Sequence, residues 1–259
     1  MPGYKDWIDT IDIKVDYFSA FMKAWIAFNA WYNNSGEVTG KTDKECIEYI
    51  GSKTNRFKTY IENLLIADST EGNIFRENLA SLHSSLLNAA ITTQEYIGAR
   101  RPVSFAEVAV KNSNLTEKTC FRNVQYECVR SHGKITTVVT TKNGVEILRH
   151  EQDEYDLDNL KQQSAFSQLS SERQTKCVAC YKKLTPYINY SVLATGDQKI
   201  AIGAYNFIND IGKISQAIIT ILYMLRCCLA HGDISPDEST NKVFRYAYEV
   251  LVVPLKKLK

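Results

Sequence analysis

The sequence has little net charge, and this excludes one broad class of function. Its 31 Lys and Arg residues are nearly balanced by 29 Asp and Glu residues, which leaves a formal net charge of +2 at pH 7. A protein that coats nucleic acid carries a large positive excess, because neutralising phosphates supplies most of the affinity of such binding. Any contact with nucleic acid would therefore have to come from a local basic patch.

The sequence also lacks a recognisable targeting segment and a disulfide framework. The opening segment Met1–Tyr17 carries Asp6, Asp9, Asp12 and Asp16 among its apolar residues, which signal and transit peptides do not. The seven cysteines are odd in number and are spread over 259 residues, too long a chain for a disulfide scaffold. We therefore expect reduced cysteines and a cytoplasmic location.

The most apolar stretch of the chain is Ile214–Leu225, and it predicts a buried helix that continues to His231. Strong helix formers and the absence of Gly and Pro favour a helix here. Apolar residues occur on all its sides, so the helix must be buried or lie at an interface. The stretch is shorter than the about 20 apolar residues that span a bilayer, and we expect no membrane contact.

Most of the remaining chain shows apolar residues at steps of three and four, which predicts further helices. Gly232 is expected to end the apolar helix, and Ser235 is expected to cap the final helix together with Glu238. The predicted helices besides the apolar one are Trp7–Tyr32, Lys44–Ala67, Ile74–Ala90, Phe105–Lys111, Asp158–Leu169, Ser171–Tyr187 and Pro236–Leu258.

One stretch breaks this helical pattern and predicts a small antiparallel β-meander. Cys120–Ser131, Lys134–Thr141 and Val145–His150 are rich in Val, Thr, Ile and Tyr, and hairpin turn signals separate them, His132-Gly133 and Lys142-Asn143-Gly144. We therefore predict a mainly α fold, a helical bundle with a β insertion. The bundle would comprise residues 1–116 and 152–259, and the insertion would comprise residues 117–151.

The predicted meander is locally basic through Arg122, Arg130, Lys134 and Lys142. One interpretation is an RNA-facing or partner-facing flap, in which these four cations contact phosphates. The other is an ordinary solvated insertion, in which the charges keep exposed strand edges from aggregating. The sequence leaves both open.

No set of residues has the spacing of a metal site. Cys177 and Cys180 have the CxxC spacing, but a zinc site needs about four ligands, and on a helix this spacing describes a single face. Cys120 and Cys128 are too far apart to complete the set. We expect neither a metal nor a cofactor.

Arg226 and His231, at the end of the apolar helix, are the candidate catalytic residues. A guanidinium can bind two phosphate oxygens at once, and an imidazole suits proton transfer near neutral pH. RNA cleavage without a metal needs a base for the 2′-hydroxyl, an acid for the leaving 5′-oxygen and a cation for the charge on phosphorus. One Arg and one His supply half of such a site, and a two-fold homodimer would supply the other half.

The segment R-C-C-L-A-H-G, Arg226–Gly232, resembles the R-x(4–6)-H motif of the HEPN superfamily, and the aromatic helix Trp25–Tyr32 resembles the first helix of several bacterial HEPN families. The resemblance implies a dimeric, metal-independent endoribonuclease. Such a protein would be a toxin or antiviral-defence effector that cleaves tRNA or other RNA, with an antitoxin or other regulatory protein as partner. Where many active members have a polar residue directly after the Arg, this chain has Cys227. Asn29, Cys227 and Asp233 are candidate supporting residues.

Two alternatives remain open besides an active ribonuclease. The chain could be a catalytically inactive HEPN module that binds RNA, nucleotide or a partner protein. It could also be a purely structural helical domain. In that case Arg226 would pair with an acid such as Asp233 or Glu249, and His231 would cap the end of its helix.

Overall fold

The computed structural model describes residues 15–94 and 100–259, and it divides the chain into two compact units. The first unit is Met1–Val108 with Tyr190–Lys259, and the second is Ala109–Asn189. The helices are α1 (Tyr17–Asn34), α2 (Asp43–Ser52), α3 (Arg56–Ile66), α4 (Thr70–Ala89), α5 (Leu157–Lys161), α6 (Ser164–Ser167), α7 (Ser171–Lys182), α8 (Ile211–His231) and α9 (Glu238–Lys256).

The predicted mainly α class is wrong, because the structure is 50% helical and 22% strand. The described residues form four antiparallel sheets, three with two strands and one with four, which makes an α+β protein. The strands are β1 (Thr92–Gln94), β2 (Arg100–Pro102), β3 (Val108–Lys111), β4 (Thr116–Phe121), β5 (Val124–Ser131), β6 (Lys134–Thr141), β7 (Glu146–Gln152), β8 (Tyr187–Tyr190), β9 (Lys199–Ile202) and β10 (Tyr205–Ile208).

The strands outside the meander explain the error in fold class. Each of the five strands β1, β2, β8, β9 and β10 has only three or four residues, too few to display the period of two that identifies a strand. The segment predicted as a short helix, Phe105–Lys111, contains strand β3, which pairs with β8. Tertiary pairing therefore decides the conformation of these segments more than local propensity does.

Helix α8 is the core helix of the first unit, where it contacts α1, α2, α3 and α9. Its first turn is capped by Asp210, whose side chain accepts a hydrogen bond from the backbone of Lys213 at 3.0 Å, so the helix begins three residues before the predicted Ile214. The resulting 21 residues meet the length and composition of a membrane-crossing helix, a test that buried core helices also pass. Half of its most apolar window is buried inside the fold.

The aromatic residues of α1 form much of the remaining core of this unit. The ring of Phe28 lies 4.3 Å from that of Phe57 on α3 and 5.3 Å from that of Trp25, measured between ring centroids. Phe21 meets Phe244 of α9 edge to face at 5.3 Å. These contacts bury the face that the sequence pattern identified, so the aromatic stretch packs helices together.

Several helix ends differ from their predicted positions because polar residues cap them elsewhere. Asn55 caps α3 and splits the predicted helix Lys44–Ala67, with its side chain accepting from the backbone of Lys58 and donating to the carbonyl of Ile50. In the described residues α1 begins after its cap Asp16. The remainder of the predicted helix Trp7–Tyr32, from Trp7 to Lys14, lies outside the described residues.

The predicted cap of the final helix is also wrong. Asp237, two residues after Ser235, is the N-cap of α9, and it forms a reciprocal capping box with Thr240 instead of Glu238. Asp237 and Thr240 have the same three-residue separation, and Pro236 consequently precedes the helix. The predicted helix Pro236–Leu258 is therefore shorter, Glu238–Lys256.

The second unit contains the predicted meander with one more strand than expected. Its four strands pair in the order β4-β5-β6-β7. The predicted strand Cys120–Ser131 is two strands, because Arg122 and Asn123 both adopt positive φ, 48° and 62°, and reverse the chain. Two consecutive positive φ angles define the type I′ turn, whose twist matches that of paired strands. His132 and Gly133 form the next turn in the same way.

Helix α7 covers one face of this sheet. Alternate residues of β5, Val124, Tyr126 and Cys128, are buried, as the period of two requires. They share a core with Cys177 and Cys180 of α7. The predicted segment Ser171–Tyr187 is helical only to Lys182, and the predicted helix Asp158–Leu169 is the two short helices α5 and α6.

Candidate functional site

Arg226 reaches from α8 to the first residue of α2. Its Nη2 lies 3.3 Å from Oδ2 of Asp43, and this is the guanidinium's only hydrogen bond to the described residues. The two side chains are 26% and 35% exposed, so solvent and solutes reach both of them. The Nε of Arg226 is buried and has no hydrogen-bond partner in the described residues. Since buried donors are nearly always paired, this arginine is incompletely satisfied.

Two residues of α1 fix the other oxygen of Asp43. The hydroxyl of Tyr32 donates to Oδ1 of Asp43 at 3.1 Å, and the amide of Asn29 donates to the same oxygen at 3.2 Å. Asn29 also contacts the Tyr32 hydroxyl at 2.5 Å. The candidate supporting residue Asn29 is therefore linked to Arg226 through Asp43. We call Asn29, Tyr32, Asp43 and Arg226 the arginine cluster.

In and around the arginine cluster, two phenols and a thiol have raised pKa values and stay protonated at neutral pH. Burial, followed by the charge of Asp43 and its hydrogen bond, raises the pKa of the Tyr32 hydroxyl. Burial also raises the pKa of Tyr223, and the neighbouring Cys227 contributes through its charge and a hydrogen bond. The thiol of Cys46 has a raised pKa because of its burial and the charges of Asp43 and Glu45. These phenols and this thiol are hydrogen-bond donors at neutral pH.

His231 is the last residue of α8, and it is exposed. Its ring makes no hydrogen bond to the described residues, so it does not cap the helix end as the structural interpretation required. Gly232 ends the helix in the left-handed conformation, with φ 71°, and the backbone of Asp233 donates to the carbonyl of Cys228 at 2.9 Å. Such a C-terminal cap leaves the imidazole outside the helix's own hydrogen bonds.

The structure does not bring Arg226 and His231 of one chain together as a pair. Five helical residues separate their Cα atoms by about 7.5 Å along the axis and about 140° around it. Arg226 leans toward α2, whereas His231 faces solvent at the end of the helix. The acid that pairs with Arg226 is Asp43, not Asp233 or Glu249.

Sequence reasoning did not find Asp43 or Tyr32. Asp43 is 183 residues away from Arg226 in the chain. The one local signal is Thr42, whose side chain accepts from the backbone of Glu45 and caps α2. That cap places the next residue, Asp43, at the start of a helix, where a carboxylate is favoured anyway. Nothing in the sequence indicates which arginine it meets.

Most basic residues of the meander are already engaged within the second unit. Arg122 forms an ion pair with Glu172, and Lys134 lies 2.6 Å from Glu151. Arg130 donates to the backbone carbonyl of Asn112 at 2.7 Å. Lys142 is exposed at a turn and has no ion pair with the described residues. These contacts fit a solvated surface. Of the four predicted RNA contacts, Lys142 is the one whose charge is not engaged by the described residues.

The CxxC cysteines lie in a packed core. Cys177 and Cys180 are buried and free, and burial raises the pKa of Cys177 to about 12. The thiol of Cys180 lies 3.5 Å from the carbonyl oxygen of Glu117. Within the described residues no group of three or more His, Cys, Asp or Glu side chains could hold a metal ion. Protonated thiols in an apolar core pack as small hydrophobic residues.

Comparison with protein-family models, with curated proteins and with solved structures gives no match. The resemblance to the HEPN superfamily therefore stays a prediction based on the segments Arg226–Gly232 and Trp25–Tyr32. What the structure contributes to it is the environment of those residues. Arg226 and Asn29 belong to one polar cluster, and His231 is exposed at the end of the same helix as Arg226.

Proposed function

We propose that this protein is a metal-independent endoribonuclease that acts as a toxin or antiviral-defence effector. Arg226 binds the scissile phosphate, and His231 transfers protons at the 2′-hydroxyl nucleophile or the leaving 5′-oxygen. The attack of the 2′-hydroxyl leaves a 2′,3′-cyclic phosphate on one product and a 5′-hydroxyl on the other. RNA is the substrate class because this chemistry requires a 2′-hydroxyl, which DNA lacks.

The observation that carries the proposal is the availability of both side chains at the end of α8. Arg226 makes one hydrogen bond to the described residues although a guanidinium has five N–H donors, and its side chain is 26% exposed. His231 is exposed, and its ring has no hydrogen-bond partner among the residues that the structure describes. A buried N–H of a purely structural arginine is normally hydrogen-bonded, whereas the buried Nε of Arg226 has no partner in the described residues.

The proposed enzyme works as a two-fold homodimer. One His231 does not easily serve as both base and acid in a single turnover, and it makes no hydrogen bond to Arg226 of its own chain. A two-fold axis near the end of α8 would bring Arg226 and His231 of one protomer close to the same residues of its partner. The buried apolar residues of α8 are covered within the chain, so the contact would use the end of α8 and the outer face of α9. Light scattering should report twice the mass of 29.4 kDa.

The decisive experiment is incubation of purified protein with total RNA and with tRNA in EDTA. We expect discrete cleavage by the wild type and none by a folded His231→Ala variant. The matched control is His132→Asn, which removes another exposed histidine at a positive φ that Asn tolerates. Products with 5′-phosphate ends, or activity that returns only with magnesium, would contradict the mechanism.

A second candidate is an inactive HEPN-like module that binds RNA, nucleotide or a partner protein. The observation that favours it is the ion pair of Arg226 with Asp43, which offsets the positive charge that a phosphate would meet. In that case RNA or nucleotide would bind without cleavage, and Arg226→Ala would weaken binding. Filter binding on the samples of the cleavage assay distinguishes the two candidates.

A further inference from the structure

Asp43 is held more firmly than a surface carboxylate. It is the first residue of α2, directly after the cap Thr42, where the helix dipole favours a negative charge. Its Oδ1 accepts two hydrogen bonds from α1, from Tyr32 at 3.1 Å and from Asn29 at 3.2 Å. Tyr32 itself is only 2% exposed, so the packing of α1 fixes its ring. The position of Asp43 is consequently fixed by α1 and α2, independently of its contact with Arg226.

Arg226, by contrast, is held at one point. Its Nη2 is 3.3 Å from Oδ2 of Asp43, a long distance for a charge-assisted hydrogen bond, and no second N–H shares the carboxylate. An ion pair built for stability would use two parallel N–H donors. Partly exposed ion pairs with a single contact contribute little to folding. The contact therefore orients the guanidinium without saturating it.

The free donors of Arg226 make this arrangement suited to an incoming anion. Four of the five N–H donors of a guanidinium remain without a partner in the described residues when one is engaged. One of them, on Nε, is buried and has no water-facing surface. A ligand that realigns the side chain would relieve that unsatisfied donor. A phosphodiester offers the required acceptors, and its negative charge favours the free edge of the guanidinium.

From these contacts we propose that Asp43, steadied by Asn29 and Tyr32, is a positioning residue that aims Arg226 at the scissile phosphate. The inference rests on the proposed ribonuclease function and adds two residues, Asp43 and Tyr32, to its candidate site. Asp43 touches the arginine, not the RNA, so it acts on the rate through Arg226. Because it fixes geometry and does not add positive charge, its removal should slow the chemical step more than it weakens RNA binding.

The test is steady-state kinetics of Asp43→Asn, which keeps the shape and removes the charge. We expect kcat to fall about 10- to 100-fold, as misplaced catalytic groups typically cause. KM should stay unchanged or decrease, because a negative charge near the phosphate is lost. The matched control is Glu45→Gln, which removes the same charge two residues further along α2. The side chain of Glu45 accepts a hydrogen bond from the backbone of Lys41 and does not contact Arg226. Its kcat should stay within about 2-fold of wild type.

Two further variants show whether the cluster works through Asp43. Tyr32→Phe and Asn29→Ala should each lower kcat by a smaller factor than Asp43→Asn does. Neither should slow the enzyme further when combined with Asp43→Asn, because both act by steadying the same carboxylate. A kcat of Asp43→Asn equal to wild type, or a loss explained entirely by a higher KM or by the unfolded fraction, would overturn the positioning role.

A nuclear magnetic resonance measurement separates failure of this inference from failure of the proposed function. The Nε–H signal of Arg226, assigned with Arg226→Lys, is followed in ¹⁵N-labelled protein while a 2′-deoxy oligonucleotide is added. We expect a shift in the wild type and a weaker, broadened response in Asp43→Asn. If the wild type cleaves no RNA, the proposed ribonuclease function is wrong. The Nε–H signal of Arg226 then decides by itself whether Asp43 positions Arg226 toward a phosphate. No shift in the wild type, or equal responses, overturns it.

Discussion

In the unit Ala109–Asn189, Arg122 and Lys134 of the meander lie at the surface in ion pairs, Lys134 with Glu151 at 2.6 Å. In the other unit, Arg226 and Asp43 form a partly buried pair at 3.3 Å that is bonded further to Tyr32 and Asn29. The first arrangement satisfies its charges locally, whereas the second leaves an arginine with spare donors. The difference makes an incompletely satisfied, partly buried arginine a stronger candidate for binding an anion than basic residues whose charges are paired.

The largest effect we expect is on activity, and it should distinguish the two units. Arg226→Ala should lower kcat/KM for RNA by on the order of 10²–10³, the usual loss when a charge-stabilising donor is removed from an active site. Arg122→Ala and Lys134→Ala, in which an ion-paired cation is removed, should change it by less than about 3-fold. Rates on one labelled tRNA measure all three.

The matched control for this prediction is Arg56→Ala, which removes a half-exposed arginine at the start of α3 that is ion-paired with Glu37. Circular dichroism establishes that each variant is folded. If the meander variants lost as much activity as Arg226→Ala, the basic flap would bind the substrate, and the contrast between the units would fail.

The next effect is on stability, and it concerns the cysteines of the two units. Cys177→Ala and Cys180→Ala remove buried atoms from the core under the meander, and each should lower the free energy of unfolding by about 1–2 kcal/mol. Cys227→Ala, at a half-buried position beside Tyr223, should cost less than either. Urea unfolding measures all three. EDTA should leave the curves unchanged, and a large shift with EDTA would indicate a metal that the CxxC pair binds.

A smaller effect depends on pH and on His83 in the first unit. Its ring is buried among Phe105, Tyr205 and Phe207, its Nδ1 has no partner in the described residues, and burial lowers its pKa. The unfolded chain therefore binds a proton more readily than the folded chain as the pH falls below 6.5, the ordinary histidine value. Stability should be lost in that direction, by about 1 kcal/mol between pH 7 and pH 5.

His83→Phe should remove that part of the acid sensitivity, as measured by thermal unfolding at the two pH values. The control from the other unit is His150→Gln, because His150 contacts the side chains of Gln152 and Asn159 at the surface. If both variants changed the pH dependence equally, burial of His83 would not be its cause.

The smallest effect concerns the meander's ion pairs. A double-mutant cycle with Lys134→Ala and Glu151→Ala should give a coupling free energy no larger than the error of the measurement, because both side chains are exposed and water screens them. The variants are compared by thermal unfolding. A coupling several times larger would mean that this pair is structurally comparable with the partly buried pair of Arg226.

The parts of the structure that the sequence predicted correctly are those with long or locally complete signals. The apolar helix ending at His231 follows from a continuous run of residues, and Gly232 marks its end with a positive φ. Two turns of the meander follow from glycines at Gly133 and Gly144, which adopt φ of 81° and 78°. In each case a few neighbouring residues suffice to determine the backbone.

The parts that could not be predicted depend on distant partners. The turn at Arg122 and Asn123 contains no glycine, so only strand pairing on both sides reveals it. The short strands β1, β2, β8, β9 and β10 exist because of their partners. The same is true of the candidate site, where Arg226 and Asn29 were predicted from sequence, but the carboxylate of Asp43 that connects them was not.

The division of the chain has a consequence for its biosynthesis. The second unit, Ala109–Asn189, is continuous in the chain, and its ends meet where the backbone of Asn112 donates to the carbonyl of Pro186 at 2.8 Å. The first unit needs α8, which leaves the ribosome only after that whole insert. Since domains fold as units during translation, the second unit should fold first. Helices α1 to α4 can complete their packing only after α8, the core helix of the first unit, has been made. Asp43 and Arg226 would then meet only after α8 has been made.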